Sequence, residues 1–126
     1  MRQFVPFKLT IEKRPGYLYA RYEADPVTLS DVIATVNGVA QAIYESGYDR
    51  VLLVRNSPLL ESEDNRELLN AMLKKHVPKG VKVALVDIFG NDPEAVARAA
   101  EASKTVGWDL TIFPTVAEAE QWLATL

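Results

Sequence analysis

Apolar and polar residues alternate along Phe7-Lys8-Leu9-Thr10-Ile11-Glu12, the two-residue period of a half-buried strand. Arg14-Pro15-Gly16 reads as a turn, and Tyr17-Leu18-Tyr19-Ala20-Arg21-Tyr22 is a second run rich in β-formers. The chain therefore opens on a hairpin, which Asp25-Pro26 ends. The period then changes. Val32, Ile33, Val36, Val39, Ala40 and Ile43 recur at helical spacing behind a capping-box start at Thr28-Leu29-Ser30-Asp31, and Gly47 is placed to stop the helix. Asn37-Gly38 lies inside this stripe. The apolar positions run straight through it, so the pattern predicts helix, with the destabilisation that an interior glycine brings.

Strands and helices then alternate. Arg50-Val51-Leu52-Leu53-Val54 is a short apolar run bounded by polar residues, the mark of a strand covered on both faces. A loop from Arg55 to Glu61 leads to a helix opened by Ser62-Glu63-Asp64, with Leu68, Leu69, Met72 and Leu73 as its stripe and Pro78-Lys79-Gly80 as its stop. Residues Val81 to Phe89 form the next strand and Gly90-Asn91 turns the chain. Asp92-Pro93 supplies a cap and a first-turn proline to a helix from Glu94 to about Thr105, whose small face is Ala95, Val96, Ala99 and Ala102. Gly107 breaks that helix. Leu110-Thr111-Ile112-Phe113 is the last strand. A second capping box, Thr115 to Glu118, opens a closing helix with Val116, Ala119, Trp122 and Leu123 on its apolar face.

Helices between strands imply right-handed crossovers and parallel pairing. The expected fold is α/β: a mixed, mostly parallel five-stranded sheet with an N-terminal β-hairpin and about four helices, in one domain over residues 1–126. In such sheets ligands and partners meet the loops at the carboxyl ends of the strands. Those loops are Arg55 to Glu61, Gly90 to Pro93, and Pro114 to Thr115.

Composition narrows the function classes. A chain of 126 residues suits one domain and buries roughly two thirds of its unfolded surface without a disulfide or metal. The net charge of −3 gives no basic excess for a phosphate backbone, which argues against nucleic acid. The absence of cysteine removes disulfides and thiol nucleophiles. The first residues, Met1 to Lys8, lack a long apolar run and a small-residue cleavage pattern. No stretch approaches a membrane span. A cytoplasmic protein is expected.

The strand Arg50 to Val54, the Ser62–Lys75 helix, Lys82-Val83-Ala84-Leu85-Val86, and Leu110-Thr111-Ile112-Phe113-Pro114-Thr115 leading into Ala117-Glu118-Ala119-Glu120-Gln121-Trp122-Leu123 resemble the STAS-like family, the fold of the bacterial anti-sigma-factor antagonists. The acidic-alanine helix closing on Trp-Leu is most similar to the family's uncharacterised SpoIIAA-like branch. The resemblance spans nearly the whole chain and rests on pattern and order. It implies a non-catalytic, regulatory protein-interaction module with a protein partner and no cofactor. It places the partner surface at Arg55, Asn56, Leu59, Leu60, Glu61 and Glu63. Family members that act as phosphorylation switches carry an Asp-Ser pair at the start of this helix. Here the place reads Glu61-Ser62-Glu63-Asp64, so the switch serine is either displaced to Ser62 or replaced by a carboxylate near Glu63. The branch is also similar in outline to lipid carriers, which leaves a carrier or sensor of a small apolar ligand as the alternative, with the helix from Val32 to Ile43 as the cover of a pocket.

Other residues carry weaker signals. Ser62 is a phosphoacceptor at a helix N-terminus or a plain cap, and Ser57 is a second hydroxyl in the same loop. Glu61, Glu63, Asp64 and Glu67 are a hard-cation cluster or a solvated first turn. His76, the only histidine, follows Lys74-Lys75 at the end of a helix, a position that suits a cation. Tyr17 and Tyr19 share a strand face and Tyr22 takes the other. They line a groove or interface, or are half-buried edge aromatics. Arg55-Asn56-Ser57-Pro58 offers donors to an anion, but no glycine-rich cradle accompanies it. Trp122 and the open hairpin edge suit a homodimer.

Overall fold

The computed structural model describes residues 3 to 74 and 77 to 126. Two strands, β1 (Val5–Arg14) and β2 (Tyr17–Asp25), form the hairpin. The chain continues through α1 (Leu29–Ser46), β3 (Arg50–Asn56), α2 (Ser62–Lys74), β4 (Val81–Asp87), α3 (Pro93–Ser103), a 3₁₀ turn over Lys104–Val106, β5 (Trp108–Ile112) and α4 (Val116–Ala124). The sheet order is β1-β2-β3-β4-β5. β1 and β2 pair antiparallel and every later pair is parallel. The α/β class, the mixed five-stranded sheet, the hairpin and the four helices all stand as the periodicity predicts.

Because each parallel strand is laid down beside the last one in the same direction, right-handed crossovers put the intervening helices on one face. Leu18, Val51, Val83 and Trp108 of the sheet pack there with Val39, Ala40 and Ile43 of α1 and Leu68 and Met72 of α2. α4 crosses the opposite face, where Ala119 and Leu123 bury Leu52, Val54, Ala84 and Val86. β3 and β4 are therefore covered on both sides, which is why β3 reads as an unbroken apolar run. Phe113 and Trp122 hold the far edge of that layer, with ring centroids 5.3 Å apart.

Local signals account for the helix ends. The Thr28 hydroxyl accepts the Asp31 N–H at 3.1 Å and the Asp31 carboxylate accepts the Thr28 N–H at 3.1 Å, a complete capping box. Gly47 takes the left-handed conformation (φ 75°) that closes α1, its N–H donating to the Ile43 carbonyl. Asp92 caps α3 and Thr115 caps α4. Gly38 sits where α1 lies closest to β1. A Cβ there would stand 2.9 Å from a Leu9 methyl, so the interior glycine lets the helix approach the hairpin.

Several boundaries differ from the sequence expectation. Arg55 and Asn56 belong to β3 rather than to the loop after it. β4 stops at Asp87, because the Asp87 carboxylate turns back to accept the Phe89 and Gly90 N–H groups. α3 ends at Ser103 and continues as the tighter turn that Gly107 terminates. β5 starts at Trp108, whose indole N–H donates to the Pro78 carbonyl at 2.7 Å. Ser62 is the first helical residue of α2, one place inside the cap position. Glu61 takes that place, its carbonyl accepting the Asn65 N–H. His76, and Lys75 at the expected end of that helix, lie outside the described residues. No helix among the described residues is long and apolar enough to cross a membrane.

Candidate ligand-binding site

Side chains alternate across a sheet, so strand parity decides what faces the helices. Tyr22, Arg55 and Asp87 are direct cross-strand neighbours in the register of β2, β3 and β4. They form a polar row at the carboxyl ends of three strands, on the face that carries α1, α2 and α3. Tyr22 is 4% exposed, and the Arg55 and Asp87 side chains are 11% and 10% exposed. The Arg55 Nε donates to the Tyr22 hydroxyl at 3.0 Å. Arg55 Nη1 lies 3.6 Å from Asp87 Oδ2, an ion pair without a hydrogen bond. That Nη1 is buried and has no hydrogen-bond partner among the described residues.

The reason lies in Asp87. Its Oδ1 accepts the N–H groups of Phe89 (3.0 Å) and Gly90 (3.1 Å), and its Oδ2 accepts the Asn91 side-chain amide at 2.8 Å. The same amide donates to the Ser57 carbonyl at 2.9 Å, tying the loop after β3 to the loop after β4. Asp87 thus spends its acceptors on holding the loops and leaves the Arg55 guanidinium charge-compensated but incompletely hydrogen-bonded. A buried cationic donor in that state is costly unless a further acceptor meets it.

Beneath this row a cavity of about 370 Å³ opens between the sheet and the three helices. Leu53, Leu110 and Trp108 form its floor, Val32, Thr35 and Val36 of α1 one wall, Leu68, Leu69 and Met72 of α2 a second, and Ala95 and Ala99 of α3 a third. Pro58, Leu59 and Leu60 form its rim with Ser62 and Asn65. Ala95 and Ala99 are half-buried. Their short side chains leave the space that larger ones would fill. The volume falls within the range of small-molecule sites, and the lining has their usual character, mostly apolar with few polar groups. Among the described residues that line it, the charged ones are Arg55 and the exposed Arg98.

The residues singled out in the sequence divide. Arg55, Leu59, Leu60 and Ser62 come together at the cavity. Asn56 ends β3 on the opposite side parity from Arg55. Glu61, Ser62 and Glu63 are exposed at the start of α2 and Asp64 is half-buried. Ser57 is 0% exposed and its hydroxyl donates to the Pro58 carbonyl at 2.9 Å, so in this fold a phosphoryl donor does not reach it. Among the described residues no group of three or more acidic or histidine side chains is arranged to hold a metal ion. Tyr17 and Tyr19 pack on the α4 face. The Tyr17 hydroxyl donates to Glu120 at 2.9 Å, and burial pushes the Tyr17 phenol up, partly offset by its hydrogen bond with Arg14. The Arg14 guanidinium stacks 3.9 Å above the Tyr19 ring. These two tyrosines are engaged with α4 and Arg14, whereas Tyr22 belongs to the cavity row.

Asp87, Asn91, Arg98, Trp108 and the cavity-facing role of the alanines escaped the sequence reading. One signal was present: Arg55 and Asp87 share strand parity with the buried Val51 and Val83, and a charge on a buried face is rare without a purpose. Neither the protein-family models nor the curated proteins compared with this chain match it, so its function is argued from the cavity and its arginine.

Proposed function

We propose that the protein is a STAS-like binding module that holds a small, largely apolar ligand in the cavity between the sheet and α1–α3, as a carrier or sensor. The observation that carries this reading is the 370 Å³ apolar cavity with one buried, under-bonded arginine at its sheet end. A core packed only for stability leaves few voids larger than a water molecule. Val32, Thr35 and Val36 of α1, the helix that the likeness to lipid carriers offers as a pocket cover, are among the lining residues and support this reading.

The regulatory protein-contact reading joins this one at the rim. Leu59, Leu60 and Ser62 lie between the cavity and the outer surface. A ligand that repositions this segment changes what a protein partner meets. The proposal is therefore one of binding and signalling, with catalysis assigned to no residue.

Native mass spectrometry on protein recovered gently from its own cells, paired with analysis of an organic extract, tests it. The expected result is a small organic adduct that disappears on extraction. Recovery with a bound protein and no organic adduct would transfer the function to the interaction surface alone.

A further inference from the structure

Resting on the ligand-binding reading, the geometry points to a specific ligand class: we infer that the cavity takes an organic carboxylate, a monoanion with an apolar tail, whose head group seats on Arg55. Three observations converge on it.

The first is donor accounting. An arginine offers five N–H donors. Nε is committed to Tyr22, while buried Nη1 has no acceptor, because Asp87 is turned to Phe89, Gly90 and Asn91. Arg55 lines the cavity, so a carboxylate seated there offers its guanidinium a further acceptor beside Asp87, and a charge-assisted bond of this kind is about twice as strong as a neutral one. The guanidinium is already desolvated and held on two sides by Tyr22 and Asp87, so little ordering is left for the ligand to impose.

The second is charge balance. The charged residues among those lining the cavity are Arg55 and the exposed Arg98, and no carboxylate lines it. An anionic head group therefore meets no like charge in the lining. A second negative charge adds desolvation cost in so apolar a lining with no second buried cation to offset it, and a cationic head group faces two arginines and no carboxylate.

The third is polarity along the cavity. Arg55 lies at the sheet end, at the carboxyl edge of β3, and Leu53, Leu110, Leu69 and Met72 extend away from it. An amphipathic acid matches that gradient with its head at the row and its tail along the leucines.

The test is calorimetric titration of the full chain with three eight-carbon probes: octanoate, octan-1-ol and octyl phosphate. Trp108 in the floor gives a second readout by fluorescence in a Trp122→Phe background, since Trp122 lies on the opposite face. Octanoate is expected to bind at least about 10-fold more tightly than octan-1-ol, the discrimination a site shows when a buried charged donor loses its acceptor. Arg55→Met should abolish that preference while octan-1-ol binding persists. The exposed Arg98→Gln, which leaves the fold intact, should weaken octanoate by less than Arg55→Met does. Equal affinity of acid and alcohol for the unsubstituted chain overturns the carboxylate assignment but leaves the cavity reading standing. So does a preference that survives Arg55→Met, or tighter binding of octyl phosphate than of octanoate. Failure of all three probes to bind or to change Trp108 emission overturns the cavity reading and the carboxylate assignment together.

Discussion

If the space beneath Arg55 is a binding cavity, filling it should make the protein more stable and less able to bind. Ala99 on α3 is the position to fill, because it is half-buried and lines the cavity with a short side chain. Ala99→Leu adds three carbons. At about 0.8 kcal/mol for each buried carbon, the gain approaches ~2.4 kcal/mol. Ordering the leucine side chain removes about 0.5–1 kcal/mol of that, and its helix propensity is close to that of alanine. A net stabilisation of roughly 1.5 kcal/mol is expected. With a urea slope of about 2 kcal/mol/M, the unfolding midpoint rises by ~0.7 M. The slope itself should not change, since the same surface is exposed on unfolding. In parallel, octanoate affinity should fall at least about tenfold as the tail loses its volume. Overpacking a filled core has the opposite sign and costs about 1–3 kcal/mol. A lowered midpoint at unchanged slope would therefore show that the space is already occupied by protein, and would refute the cavity.

Three further outcomes follow from the same geometry. Thr28→Ala removes the hydroxyl half of the α1 capping box and should lower stability by about 1 kcal/mol in urea unfolding, whereas Ser30→Ala, exposed and outside the box, should leave it nearly unchanged. Trp108→Phe removes the 2.7 Å bond to the Pro78 carbonyl and should cost about 1–3 kcal/mol, read from the same unfolding curves. The Lys82 ammonium 2.8 Å away holds the Asp109 carboxyl below its ordinary value of 3.8. A depressed folded value means that the contribution is complete above 3.8 and is lost as pH falls from there through the folded value. Stability difference between the protein and Asp109→Asn should thus be small at neutral pH, within about 1 kcal/mol for so exposed a pair, and should vanish in strong acid.

Element order was legible because period-two and helical spacings alternate cleanly and because caps such as Thr28, Asp92 and Thr115 act within one turn. Ends were less legible wherever a distant group sets them. β5 begins at Trp108, where it first pairs with Val81 of β4, and β4 stops where Asp87 turns to its own loop. The candidate site depends on register above all. Tyr22 and Arg55 are 33 positions apart, and nothing local in the sequence says that β2 and β3 align them. The loop from Arg55 to Ser62 was identified as functional, but the direction of its side chains was not. Leu59 and Leu60, which the resemblance places on a partner surface, also line the cavity together with Ala95 and Ala99 of α3. Ser57, a second hydroxyl in that loop, is buried, and its carbonyl is held by the Asn91 side chain 34 positions later.

The most direct test of the account is chemical-shift mapping of backbone amides in the isotope-labelled protein titrated with octanoate. Binding in the cavity predicts shifts concentrated at Val36, Leu53, Arg55, Leu69 and Ala99, with α4 and the Tyr19 side of the hairpin unmoved. Shifts confined to α4 or to exposed side chains such as Tyr44 would place the ligand elsewhere and contradict the central claim.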